Sequence, residues 1–147
     1  MTTLEALQKL HGYRGAEVYL VGGFVRDYIR RKKNKDLDIV VKGLTPHEIK
    51  TFLGRYGTSK YANLTFDVPI IIFRAFGDKF EAQITLPRDG QGRFRPNNSL
   101  KEDGQHRDFS INAMYLPINY KSKNDLIDFF GGYKDIRKRL IKAVGNP

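Results

Sequence analysis

The order of apolar and polar positions predicts helices that alternate with short strands. Apolar residues recur every three to four positions in segments that begin at Thr2, Phe24, Thr45, Asp108 and Asp135. Extended runs rich in β-branched and aromatic residues lie between them, at 18–21, 36–41, 70–76, 79–85 and 126–130. This order predicts one α+β domain over residues 1–147, with a mixed sheet and helices packed against it.

Local signals define the first and third helices. Two capping boxes, Thr2 with Glu5 and Thr45 with Glu48, predict helix starts because each side chain satisfies a free N–H of the first turn. Gly57 is predicted to end the third helix.

The middle of the chain is predicted to form a hairpin followed by a loop. Gly77-Asp78 separates the runs 70–76 and 79–85 and predicts a two-residue turn between them. The polar interval 87–105 predicts a long mobile loop that becomes ordered when substrates bind.

Two helices are predicted in the last third. Asp108 suits the N-cap of the first of them, with Asn112 and Tyr115 on its polar side at i+4 and i+7. The final helix is predicted to direct three apolar side chains inward, those of Ile136, Leu140 and Ile141.

The segment 18–41 contains the candidate chemistry. An apolar strand is followed by Gly22 and Gly23, which allow a tight turn and a close approach of the backbone to a ligand. A glycine turn that opens a helix presents free N–H groups to an anion, and Arg26 adds a cationic fork. The pattern indicates a phosphate-binding turn.

Asp36 and Asp38 are separated by one residue on the following strand, so both side chains lie on one face. Carboxylates at this spacing suit one or two Mg²⁺ ions that complete their shells with water and phosphate oxygens. The alternative is an ordinary strand with a solvated acidic edge. If the strand 79–85 is a neighbour, Glu81 is a candidate third carboxylate, or else a glutamate at the rim of the sheet.

The charge favours a polyanionic partner. The formal net charge is +10, which indicates nucleic acid, although a positive balance can also serve solubility alone. A basic run is a candidate RNA contact or a solvated turn, and it consists of Arg30, Arg31, Lys32, Lys33 and Lys35. The chain has no cysteine, and its first residues do not resemble a signal peptide, so we expect a soluble cytoplasmic protein.

Three blocks resemble the class II tRNA nucleotidyltransferases, which are the CCA-adding enzymes, and the related bacterial poly(A) polymerases. The first block is Gly22-Gly-Phe-Val-Arg-Asp27 with Asp36-Leu-Asp38, and the second is Arg107-Asp-Phe-Ser-Ile-Asn-Ala113. The third, Asp128-Phe-Phe-Gly-Gly132, has Phe129 where the family has proline, and His106 stands where the family usually has arginine.

The resemblance implies a palm-like domain of the polymerase-β-like nucleotidyltransferase superfamily. It implies Mg²⁺-dependent, template-independent transfer from ATP or CTP to an RNA 3′-hydroxyl, in particular that of tRNA, with Asp36 and Asp38 as catalytic metal ligands. The expected nucleotide-binding residues are those of the first two blocks, namely Gly22, Gly23, Arg26, Asp27, Arg107, Asp108 and Asn112.

The family selects its base with a Glu-Asp-x-x-Arg helix, and this motif is not found in the chain. We therefore expect a catalytic head whose base-selecting and tRNA-binding domains lie outside these residues. It is a fragment, a minimal stand-alone head, or half of a split enzyme with a partner chain. A non-catalytic RNA-binding module and a nucleotidyltransferase for a non-RNA acceptor remain alternatives.

Overall fold

The computed structural model describes residues 1–34, 36–62 and 69–144, and these form a mixed seven-stranded sheet with helices packed on it. The strands are β1 (Glu17–Val21), β2 (Leu37–Lys42), β3 (Gly57–Tyr61), β4 (Ile71–Ala75), β5 (Ala82–Thr85), β6 (Met114–Pro117) and β7 (Ile127–Asp128). The helices are α1 (Thr3–Leu10), α2 (Gly23–Ile29), α3 (Pro46–Leu53), α4 (Leu100–Gly104) and α5 (Gly132–Arg137). The predicted α+β class is confirmed.

The strand order across the sheet is β3-β4-β5-β2-β1-β6-β7. β2 lies at the centre, antiparallel to β1 and parallel to β5. The other neighbouring strands are antiparallel. The predicted Asp-x-Asp strand is therefore held between two other strands.

One face of the sheet is covered by helices. Leu7 and Leu10 of α1 and Ile49 of α3 are fully buried against inward side chains of the strands, which include Leu20 and Ile39. Both predicted capping boxes are present. This apolar face fixes the register of β2, because a one-residue slip would bring Asp38 into the core.

The opposite face carries fewer apolar residues and contains Asp38. Asp38 lies opposite Val21 of β1 and Gln83 of β5, and residues in register on neighbouring strands share a face. A small apolar cluster that includes Tyr19, Val40 and Leu100 packs near one end of this face. The rest is left accessible to ligands.

Two expectations for the first half are wrong in detail. Gly57 does not end a helix but begins β3, where an added Cβ would lie 2.1 Å from the Arg74 carbonyl oxygen. β4 and β5 do pair, but residues 76–81 connect them instead of a two-residue turn. The Asp78 carboxylate accepts a hydrogen bond from the Thr3 N–H, so the connection is tied to α1.

The interval 87–105 is not a long loop without secondary structure. Arg88 forms a β-bridge with Phe94, and Ser99 caps α4. Asp103 of α4 is buried and accepts a hydrogen bond from the Arg88 N–H, which anchors the start of the interval to its end. The predicted ordering on substrate binding stays a prediction.

The predicted helix from Asp108 is wrong. Only Ser110–Asn112 form a short 3₁₀ turn, whose N-cap is Phe109, and β6 begins at Met114. Tyr115 is not on a polar stripe, because it is fully buried in β6 and its hydroxyl donates a hydrogen bond to Asp103. Tertiary pairing of β6 with β1 overrides the local helical spacing.

The final helix begins earlier and ends earlier than predicted. Asp128 accepts hydrogen bonds from the N–H groups of Gly132 and Tyr133 and so caps α5. The helix ends at Arg137, and Leu140 and Ile141 are exposed. No helix in the described part of the chain is long and apolar enough to span a bilayer.

Candidate active site

The glycine turn between β1 and α2 places backbone beside a carboxylate. Gly22 has φ +71° and ψ −140°, a left-handed conformation that favours glycine. A Cβ at this position would lie 3.0 Å from Oδ2 of Asp38. Gly23 opens α2, and a Cβ there would lie 3.3 Å from nitrogen atoms of Arg26 and Asn34. Side chains here would crowd the site.

The two aspartates differ in exposure. Asp36 precedes β2 and is exposed, and its N–H donates to Oδ1 of Asn34. Asp38 is half-buried, and burial raises its pKa; the positive charge of Arg107 opposes this effect and the negative charge of Asp36 adds to it. No hydrogen bond to the Asp38 carboxylate comes from the described residues. This carboxylate therefore has lone pairs available for a cation.

Glu81 is not gathered with the aspartates. Glu81 was a candidate metal ligand on the condition that its strand neighbours the strand of the two aspartates, and β5 is indeed the neighbour of β2. However, Glu81 is exposed and lines a separate groove with residues of β3 and β4. Among residues 1–34, 36–62 and 69–144, no three acidic or histidine side chains come close enough to hold a metal ion. The metal role of Glu81 stays a prediction.

Asp27 orients the cationic side chain of its neighbour. Its buried carboxylate accepts hydrogen bonds from Nε of Arg26 at 3.1 Å and from Nδ2 of Asn34 at 2.7 Å. Burial alone would raise the pKa of Asp27, but these hydrogen bonds and the charges of Arg26 and Arg30 outweigh it and lower the pKa. Arg26 then donates to Oδ1 of Asn112 at 3.2 Å, which joins the first block to the second.

Arg107 is held by a buried carboxylate. Its Nη2 lies 3.2 Å from Asp103, whose side chain is 1 % exposed and also accepts from Tyr115. Burial acts to lower the pKa of Arg107, but the Asp103 charge and the Tyr115 hydroxyl reverse this, so the pKa stays above its ordinary value. Arg107 is fixed in position as a permanent cation.

A cleft with a volume of about 320 Å³ unites these residues. Its lining comprises Gly22, Gly23, Arg26, Asp38, Arg88, His106, Arg107, Asp108 and Asn112. All the predicted nucleotide-binding residues except Asp27 line the cleft. Asp27 contacts the cleft only through Arg26, from which it accepts a hydrogen bond. Asp36 is not part of the lining.

One residue of the cleft, Arg88, was missed by the sequence analysis. Arg88 lies in the interval predicted to be a loop, where the several arginines were the only signal. His106 was noted as a departure from the family, and its Nε2 lies 2.6 Å from the Asp89 carbonyl oxygen. Among the described residues, the buried Nε atoms of Arg88 and Arg107 have no hydrogen-bond partner. Both arginines line the cleft, so their positive charges favour an anion there.

The basic run lies beyond the end of α2. Arg30, Arg31, Lys32 and Lys33 are exposed, whereas Lys35 lies outside the described residues. Arg31 comes near Tyr133, whose pKa is lowered by a hydrogen bond from Arg137 and by the charges of Lys123 and Arg31. Cations from three separate segments therefore lie near the partly buried Tyr133. Such a cluster suits a polyanion, and the choice between an RNA contact and a solvated turn for the basic run stays open.

The family assignment follows from residues 18–142, which match the poly(A) polymerase head domain. The chain belongs to this family. The match includes the glycine turn, both aspartates and the arginine-rich wall of the cleft, so the predicted resemblance is confirmed.

Relatives of the head domain include RNA-processing enzymes. The chain is 34 % identical to the CCA-adding enzyme of Staphylococcus saprophyticus, over 99 % of the chain and 35 % of that protein. It is also 34 % identical to poly(A) polymerase I of Salmonella typhi, over 90 % of the chain and 30 % of that protein. The head domain thus spans about a third of the length of these relatives.

Solved structures agree with the sequence comparison. The Thermotoga maritima CCA-adding enzyme complexed with tRNA superposes with a TM-score of 0.74 and 32 % identity, over 97 % of the chain and 32 % of that protein. The Bacillus stearothermophilus CCA-adding enzyme in complex with CTP has a TM-score of 0.74 and 28 % identity, over the same shares. The nucleotidyltransferase fold of the head domain is established.

Proposed function

We propose that the head domain transfers nucleotides from ATP or CTP to an RNA 3′-hydroxyl without a template, and that the acceptor is a tRNA 3′ end. The observation that carries the proposal is the cleft, which joins a tight glycine turn, the half-buried Asp38 and three arginines in one space. A nucleoside triphosphate is the ligand with matching charge. The relatives that act on tRNA or add poly(A) support the RNA acceptor.

The arginines and the glycine turn are proposed to bind the triphosphate. Arg26 and Arg107 are each oriented by a carboxylate, Asp27 and Asp103, so their guanidinium groups are positioned before substrate arrives. Arg88 adds a third cation with an unpaired Nε. Preorganised donors of this kind stabilise the charge that spreads over phosphate oxygens during transfer.

Asp108 and Asn112 are proposed to contact the sugar. Both line the cleft, and Asn112 is already held by Arg26 through its Oδ1. The Asn112 amide nitrogen and the exposed Asp108 carboxylate offer a donor and an acceptor that suit ribose hydroxyls.

Asp36 and Asp38 are proposed to hold Mg²⁺. The fit rests on Asp38, a carboxylate with an elevated pKa that receives no hydrogen bond from the described residues. When bound, the ion would activate the attacking hydroxyl and neutralise phosphate charge. Glu81 is left outside this site because its groove is separate from the cleft.

The proposed function is tested by label transfer. Each of the four nucleoside triphosphates is offered with Mg²⁺ and a tRNA that lacks its 3′ end, and the Asp36→Ala, Asp38→Ala double variant is the control. Incorporation by wild type that is lost in the double variant is expected. RNA binding without incorporation would instead support a non-catalytic module or a head that needs a partner chain.

Glu81→Gln is expected to change the rate of transfer by less than about threefold, because removing a charge from an exposed residue outside the site costs little. The measurement is kcat at several Mg²⁺ concentrations. A large loss of kcat, or a raised Mg²⁺ requirement, would restore Glu81 as a metal ligand.

Gly22→Ala is expected to lower kcat about 100-fold, since the new Cβ displaces the Asp38 carboxylate by a fraction of an ångström or more. The matched control is Gly77→Ala, which has φ +81° and no atom within 4 Å of the added Cβ. Both positions have a positive φ, so alanine strains the backbone at each, by about 1–3 kcal/mol. Equal losses of kcat in the two variants would show that strain alone is responsible.

A further inference from the structure

A second groove lies on the same face of the sheet as Asp38. It crosses β3 and β4, and its volume is about 200 Å³. Its lining comprises Thr58, Ser59, Lys60, Ile72, Arg74 and Glu81. We call it the lateral groove.

Strand register connects the lateral groove to the active site. Lys60 lies opposite Ile72, Ile72 opposite Gln83, and Gln83 opposite Asp38, so the four residues form one row across β3, β4, β5 and β2. Neighbouring strands are about 4.8 Å apart, which puts the backbone of Lys60 about 14 Å from that of Asp38. On the other side of Asp38, the row continues to Val21 and Tyr115, next to the cleft.

The charges of the lateral groove suit an anion. Lys60 and Arg74 are both exposed, and neither forms an ion pair with the described residues. Arg74 is two residues along β4 from Ile72, so the two cations lie in adjacent rows of the sheet. Thr58 adds a hydroxyl opposite Arg74, and Ile72 supplies an apolar floor. Only Glu81 opposes them, at the end nearest β2.

The distance matches a short piece of single-stranded nucleic acid. About 14 Å corresponds to roughly two to four nucleotides, depending on how far the bases are unstacked. A positively charged groove that follows the backbone is typical of single-strand binding. A strand whose 3′ end lies at Asp38 would therefore bring its preceding phosphates to Lys60 and Arg74.

We propose that the lateral groove binds the last few nucleotides of the RNA acceptor, with Lys60 and Arg74 contacting its phosphates. The inference rests on the proposed function, which places the 3′-hydroxyl at Asp38. It assigns the two substrates to opposite sides of Asp38, the nucleoside triphosphate to the cleft and the acceptor strand to the lateral groove.

The first test is RNA binding by the Lys60→Ala, Arg74→Ala double variant. Fluorescence anisotropy with a labelled single-stranded oligoribonucleotide is measured in EDTA and without nucleotide. The matched control is Lys9→Ala, Arg55→Ala, which removes two exposed cations near α1 and α3, on the other side of the sheet. We expect the lateral-groove variant to bind at least about tenfold more weakly and to lose about 1.4 from its salt slope, while the control stays close to wild type.

Transfer kinetics supply an independent readout. The lateral-groove variant should raise KM for the RNA acceptor but leave KM for the nucleoside triphosphate and kcat at saturating acceptor near wild-type values. Equal KM values for the acceptor in the lateral-groove variant and the control would overturn the inference.

Uncharged backbone linkages in the oligonucleotide show which of its phosphates contact Lys60 and Arg74. Methylphosphonate is placed at single positions along the 3′ end of the oligonucleotide, and affinity is compared between wild type and the lateral-groove variant. A linkage within roughly four nucleotides of the end should weaken wild-type binding but not binding by the variant. Equal weakening of both proteins at every linkage would overturn the inference. If wild type binds RNA through Lys60 and Arg74 but transfers nothing, the RNA-binding role of the lateral groove stands, and the head is either a non-catalytic module or a head that needs a partner chain.

Discussion

Asp38→Asn is expected to lower kcat by about 10³-fold or more, without lowering the melting temperature. The loss of rate follows from the proposed metal role, since a bound ion contributes several kcal/mol to transition-state stabilisation and each 1.36 kcal/mol is tenfold in rate. The preserved stability follows from the environment of Asp38. Its charge is partly buried and accepts no hydrogen bond from the described residues, so its removal costs the fold nothing.

The pKa of Asp38 predicts how the stability of the Asp38→Asn variant compares with that of wild type at acid and at neutral pH. Burial raises the pKa of Asp38, so the folded protein keeps this proton at pH values where the unfolded chain has released it. The carboxyl therefore favours folding at acid pH, and the benefit is lost as pH rises through its folded pKa. Asparagine has no proton to lose. The variant should equal wild type in acid and be equally or more stable at pH 7.

The measurements are thermal unfolding in metal-free buffer at both pH values and label transfer with Mg²⁺. Asp125→Asn, at an exposed carboxylate that is not part of the cleft lining, is the control and should keep wild-type kcat. A clear drop in melting temperature of Asp38→Asn at neutral pH would show that the carboxylate supports the fold. Retained transfer would remove Asp38 from the metal site.

Asp103→Ala is expected to have the largest effect on stability, a loss of about 3–5 kcal/mol in the free energy of unfolding. The Asp103 carboxylate is buried and accepts from the Arg88 N–H, from Nη2 of Arg107 and from the Tyr115 hydroxyl. Its removal leaves the partly buried Arg107 cation and the buried Tyr115 hydroxyl without their partner, and an uncompensated charge with little access to water is costly.

Urea unfolding of Asp103→Ala and Glu102→Ala tests this expectation. Glu102 is the exposed neighbour on α4 and accepts one hydrogen bond, from the Gly90 N–H, so its loss should cost about 1 kcal/mol or less. In the folded fraction of Asp103→Ala, KM for the nucleoside triphosphate should also rise, because Arg107 is no longer fixed. Similar free energies for the two variants would contradict the role given to Asp103.

The part of the fold predicted correctly is the part specified by neighbours in sequence. The Thr2 and Thr45 capping boxes each depend on residues within one helical turn. The glycine turn before α2 and the alternation of apolar and polar residues at 36–41 likewise depend only on residues close in sequence. The segment 108–116 was predicted wrongly because its structure depends on distant partners. Tyr115 pairs with Val21 in the sheet and donates to Asp103, and neither contact leaves a local pattern.

The residues of the candidate site also fall into two groups, those found from the sequence and those that only the structure reveals. Arg107, Asp108 and Asn112 were identified from the family resemblance, although the local backbone was wrongly predicted as a helix. The structure places all three in the lining of the cleft. Arg88 could not be found by either route, since the first β-bridge after β5 positions it and no motif includes it. The sequence also could not reveal that Asp103 holds Arg107 and Tyr115 in place, because the hydrogen-bond partners of Asp103 come from separate segments.

The position of β1 between β2 and β6 has a consequence for the order of folding. Leu20 pairs with Ile39 on one side, over a short stretch of chain, and with Leu116 on the other, nearly a hundred residues later. Closing the longer loop costs more entropy and is the slower step. The β1–β2 pair, with Asp38, can therefore form early, whereas Arg107 and Asn112 reach the site only when β6 is added. The cleft is completed late, so binding of its proposed ligand, a nucleoside triphosphate, would report on the last stage of folding.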